Sequence, residues 1–167
     1  MADADHPAPH DSRLALALRE LLSRRRVAAL GTVQADGTPF VSMVPYAIEP
    51  ALGVLVIHVS GLAAHTGNML RQPLTACLIT EAEVPHEPVH ALPRVTLNTR
   101  AEPVPPDHPD WLPCRTAYLS RFPDAEPMTS LPDFRFVMLH LLSARQVAGF
   151  GAARSVEADE LRRALQG

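Results

Sequence analysis

Lysine is absent from this sequence: all 15 basic residues are arginine. That excludes cofactors held as a Schiff base on lysine, pyridoxal phosphate among them. It also excludes the phosphate-binding loop whose glycines lead into an invariant lysine. Any phosphate must be held by Arg, His, hydroxyls or backbone N–H groups. Cysteine is nearly absent too. Cys77 falls in a predicted strand and Cys114 in a predicted helix, and two cysteines build neither a disulfide framework nor a metal cluster. No apolar run approaches the roughly 18 to 20 residues that span a bilayer. The opening MADADHPAPHDS is acidic and Pro-rich, without the apolar core of a secretory signal, so a cytoplasmic protein is expected. Positive charge is in deficit as well. A net charge of −3 argues against a nucleic-acid partner or an anionic membrane held by bulk charge.

What is present is one domain's worth of chain. Its 167 residues, 47% of them hydrophobic, suffice for a single sizeable core over 12–167 behind a flexible tail at 1–11. The most informative stretch is VLVIHVSGLAAHTGNMLRQ, 54–72. Its β-branched apolar start reads as a buried strand. Ser60 is placed to cap a helix over 62–71, which Pro73 stops. A strand ending at a capped helix aims several N–H groups and the positive end of a dipole at one point, an arrangement suited to phosphate. His65, Thr66 and Asn68 can add hydrogen bonds there. The same pattern also describes an ordinary corner with a solvated polar face.

Along the chain, Ser12 or Asp11 caps a helix over 13–25 with Leu14, Leu18, Leu21 and Leu22 on one stripe. Strands follow at 27–33 and 40–48, joined by an Asp36-Gly37 hairpin turn. Pro39 and Pro45 mark the second as an edge strand or bulge, leaving backbone groups near Ser42, Met43 and Val44 unpaired. A third strand at 54–59 precedes the corner and a fourth at 75–79 follows it. The loop 81–93 holds His86 and His90, spaced like ligands but with no cysteine nearby. In the fifth strand, 94–101, Arg94, Thr96, Asn98 and Arg100 share one face. A helix begins at Pro109 and a loop covers 123–132. A sixth strand at 134–141 precedes a separate extended piece at 143–151, and Ser155 caps a last helix at 157–165. The expected fold is α+β, mainly β: a six-stranded antiparallel split β-barrel of Greek-key type with peripheral helices.

The blocks RVAALGTVQADGTPFVSMVPYAI, HVSGLAAHTGNMLRQP, RVTLNTRAEPV and QVAGFGAA together resemble the pyridoxamine 5′-phosphate oxidase-like family of FMN-binding split β-barrels. Within it they are most similar to the haem-utilisation branch. The resemblance implies a homodimer with FMN at the subunit interface and a small-molecule substrate. Ser42, Met43 and Val44 would lie along the isoalloxazine, while Ser60, His65, Thr66 and Asn68 would hold ribityl and phosphate. Arg94 would reach in from the other subunit. Where the oxidase proper has an Arg-Lys pair, this chain has His65 and Thr66, and oxidation of pyridoxamine 5′-phosphate is not expected.

The resemblance admits a flavin-dependent oxidoreductase, a haem-binding or haem-degrading protein, or a flavin module without turnover. His140 is the last histidine, and no Met, Cys or Tyr follows Gly151. In the haem-degrading relatives the axial donor lies beyond this point, so the expectation is FMN and no stoichiometric haem.

Overall fold

The computed structural model describes residues 12–166; the tail expected over 1–11 lies outside them. Ser12 is the cap its position predicts: Oγ accepts from Ala15 N at 3.2 Å, and α1 runs over Arg13–Arg24 with Leu18, Leu21 and Leu22 buried. Strand β1 (Val27–Val33) turns through Asp36 and Gly37 into β2 (Pro39–Pro45). Gly37 has φ of 87°, and Asp36 Oδ1 accepts from Thr38 N at 2.9 Å, as an Asp-Gly turn requires.

The predicted return strand is in fact two. Tyr46 separates β2 from β3 (Ala47–Glu49), because its side chain leaves the sheet to donate its hydroxyl to Leu22 O at 2.7 Å. Then come β4 (Val54–Ser60), α2 (Ala64–Arg71), β5 (Leu74–Thr80) and β6 (Arg94–Val104), with a single 3₁₀ turn (Val89–Ala91) in the loop before β6. Helix α3 (Trp111–Arg121) starts two residues past Pro109, and Pro123–Ser130 is a 3₁₀ helix where a loop was expected.

Strand β7 (Phe134–Val147) joins what read as two pieces. Its register against β6 shifts between Asn98 and Thr99, which leaves Leu142 as the extra residue of a bulge. The bulge breaks the alternation at that point, so the sequence pattern reads as an end. Ser155 lies in β8 (Ala153–Glu157), and α4 (Ala158–Gln166) begins after it. Among the described residues the count is therefore eight strands, not six.

All pairings are antiparallel, in the order β2-β1-β5-β6-β7-β4-β3, with β8 beside β7. Strands β2 and β3 end that order, yet only Tyr46 separates them. The sheet must therefore curl until its two ends meet, which is the split barrel. Its interior holds Leu30, Leu55, Ile57, Ile79, Leu97 and Leu139, closed by Leu18 and Leu22 of α1 and Leu161 and Leu165 of α4. A second core lies on the other side of β4, where Val54, Val56, Phe136 and Met138 meet Cys114 and Tyr118 of α3. Both faces of β4 are covered, which explains its unbroken apolar run.

Candidate functional site

The corner between β4 and α2 is built as a strand, a tight turn and a helix, but its hydrogen bonds point inward. Ser60 does not cap α2. Its Oγ accepts from Leu62 N at 3.1 Å and donates to the Asp133 carboxylate at 3.0 Å, which fixes the turn instead. The helix starts later, at Ala64, with Ala63 as a cap that offers no side-chain bond. Gly61 N donates to Asp133 O, Ala63 N to Ser60 O, and Thr66 N and Gly67 N to Ala63 O. The amides that were to cradle a phosphate are thus mostly occupied, and a carboxylate stands beside them.

Thr66 and Asn68 are buried and turned away from solvent. Thr66 Oγ1 donates to Ser60 O at 2.6 Å; Asn68 Nδ2 donates to Thr32 Oγ1 at 3.0 Å, while its carbonyl accepts from Arg71 at 2.6 Å. These residues hold the corner together. His65 differs: Nδ1 lies 3.0 Å from Ser42 Oγ on β2, and Nε2 is buried with no hydrogen-bond partner. Burial lowers its pKa below the usual histidine value, so the ring is neutral near pH 7. Across the turn, the guanidinium of Arg135 packs over Gly61. Arg135 makes no hydrogen bond or ion pair to a described residue, and its Nε is buried without a partner. His65 and Arg135 are the unsatisfied groups of this corner; a lone Arg between two Phe on a strand was the overlooked signal.

The remaining expected site residues are spread out. Val44 points into the barrel, whereas Met43 is 65% exposed on the outer face beside Val41. Arg94 turns back on its own loop, donating to Leu92 O at 2.9 Å and His90 O at 3.4 Å. His140 lies inside the sheet, where β7 is paired on both sides, with Val54 and Arg100. Its Nε2 lies 2.6 Å from Glu102, which also approaches His108 at 3.6 Å.

A second feature was not anticipated. On the outer side of β4 and β7, a half-open cavity of about 440 Å³ is lined by His58, Val104, Trp111, Leu131, Phe134 and Phe136. The His58 ring lies 4.5 Å from that of Phe136, 5.2 Å from Phe134 and 5.7 Å from Tyr118. Burial lowers its pKa to about 4, and it makes no hydrogen bond to a described residue. A polar residue inside the apolar run of β4 was the available sign.

Fold and corner together define a split β-barrel of the pyridoxamine phosphate oxidase-like kind. The chain belongs to the CREG, beta-barrel family, whose model matches residues 9–162. It is 29% identical over 150 residues to the haem oxygenase HutZ of Vibrio cholerae, covering 89% of this chain and 84% of HutZ. A crystal structure of HutZ, described as a haem storage protein, superposes with a TM-score of 0.69 over 77% of this chain and 89% of that one. A haem-binding protein from Mycobacterium smegmatis superposes with a TM-score of 0.80 at 26% identity, over 92% of this chain. This chain spans 62% of that protein's length. A Clostridium acetobutylicum protein of the pyridoxinephosphate oxidase family shares the fold, with a TM-score of 0.66 at 10% identity over 91% of this chain and 99% of that one.

These relatives correct the cofactor. FMN was expected and haem excluded, yet HutZ and the mycobacterial protein are haem proteins. The corner gives a physical reason for the same correction. Its turn amides, Thr66 and Asn68 serve the protein's own backbone and side chains, and Asp133 adds negative charge where a phosphate was to sit.

Proposed function

We propose that this protein binds haem, as a member of the haem-utilisation side of its family. The observation that carries the reading is the pair of unsatisfied groups at the β4–α2 corner, a neutral imidazole and an unpaired guanidinium. Haem needs both chemistries: an unprotonated nitrogen donor for iron and a cation for its propionates. His65 would supply the first through Nε2, its ring orientation fixed by Ser42 at Nδ1. Arg135 would supply the second. Haem, when bound, contributes an iron centre capable of oxygen chemistry. Similarity to the haem oxygenase HutZ and to a mycobacterial haem-binding protein supports this reading.

The same reading includes a homodimer. On the outer face of the sheet, Met43–Ala29–Leu78 and Val41–Gly31–Ala76 form adjacent cross-strand rows. Val41, Met43, Leu74 and Leu78 are exposed there around small residues, and Thr96, Asn98 and Arg100 of β6 continue the face as a polar rim. A flat apolar patch with a polar rim suits a second copy related by two-fold symmetry.

The test is an absorbance titration of the purified protein with haemin. A Soret band that saturates at one haem per chain, and moves in the His65→Ala variant, supports the reading. Titration without a saturable spectral change sinks it.

A further inference from the structure

The cavity beside His58 shares only Arg135 with the corner just described, and its chemistry is different. Strand alternation puts His58, Phe134 and Phe136 on one face and Val59, Arg135 and Val137 on the other. Arg135 borders the cavity from that opposite face, and its guanidinium lies over Gly61. The walls are thus mainly aromatic, proline and aliphatic side chains, with Thr129, Ser130 and Arg135 the other polar residues at its border besides His58. Thr129, at the rim, spends its hydroxyl on Glu126 O at 2.8 Å.

His58 is 8% exposed and without a hydrogen-bond partner among the described residues. The ring faces the cavity, where a bound molecule can supply the hydrogen bond that the protein does not. A volume of about 440 Å³ exceeds what one side chain fills and matches a small organic molecule.

We propose that this cavity is a separate ligand site, for an uncharged aromatic molecule bearing one hydroxyl or N–H group that hydrogen-bonds to His58. The walls stack or edge against a planar ring. The hydrogen bond to His58 fixes its orientation, and a charged ligand is disfavoured because the one charged lining residue, Arg135, holds its guanidinium over Gly61. His58 stays neutral above about pH 5 and can accept from a phenol-like hydroxyl. The proposal does not depend on haem.

Trp111 is the only tryptophan of the chain and forms part of the wall. Labelling with 5-fluorotryptophan therefore gives one ¹⁹F resonance that reports occupancy. In the 167-residue chain, 2-naphthol should shift this resonance saturably, and naphthalene-2-carboxylate should bind at least about tenfold more weakly. His58→Phe should weaken 2-naphthol about five- to tenfold, the loss of one hydrogen bond. Leu131→Phe alters only the half-exposed mouth and should weaken it too, which guards against a His58 variant that fails to fold. An unmoved resonance at millimolar 2-naphthol, equal affinity for the carboxylate, or unchanged affinity in both variants overturns the proposal.

Discussion

Ser42 Oγ and His65 Nδ1, 23 residues apart in the chain, meet at 3.0 Å between the edge strand β2 and the first turn of α2. The contact orients an otherwise neutral ring and leaves Nε2 as its free nitrogen. Replacing His65 by Ala should weaken haem at least about tenfold and change the Soret spectrum. Ser42→Ala should keep the same spectrum but weaken haem by a smaller factor, about tenfold at most. Haemin titrations of both variants check this; equal and unchanged affinities would remove His65 from the site.

Val41 and Met43 project from the outer face of β2 at 66% and 65% exposure, too apolar for a face left in water. Met43→Glu is expected to convert dimer to monomer at micromolar concentration, with little change in circular dichroism. Sedimentation velocity decides it. A parent protein that sediments as a monomer would refute the dimer outright.

Asn68 joins Thr32 on β1 to Arg71 within α2, and all its bonds are internal. Asn68→Ala strips partners from a buried hydroxyl and from the guanidinium of the exposed Arg71. It should cost about 2 kcal/mol of stability, read as a lower urea midpoint at unchanged slope. Loss below about 0.5 kcal/mol would mean that the corner is held by other contacts.

His58 predicts a pH effect on folding. Its native pKa, about 4, lies below the ordinary value of 6.5, so between these limits the unfolded chain binds the proton more readily. Its contribution to stability is intact above pH 6.5 and is lost as pH falls towards 4, by up to about 3 kcal/mol. His58→Phe should flatten that part of the profile. Parallel urea denaturation of both proteins at pH 7 and pH 4.5 measures the difference.

The sequence by itself settled the elements whose cause is local. Ser12 as a cap, the Asp36-Gly37 turn, the alternation of β6 and the doubly buried β4 need only neighbours within a few residues. It also narrowed β2 to an edge strand or a bulge, since Pro39 and Pro45 cannot donate to a ladder, and β2 ends the strand order. Three things were decided by tertiary structure. The break at Tyr46 exists because its hydroxyl reaches Leu22, and the continuity of β7 exists because β6 pairs across the bulge at Leu142. The corner looked like an anion site because Ser60, Thr66 and Asn68 are polar, but a sequence does not say which partner a polar group finds. Asp133 and Thr32, 73 and 36 residues away from Ser60 and Asn68, take those bonds and leave His65 and Arg135 unsatisfied. Hydrogen bonds between groups so far apart in the chain are set only when the barrel closes.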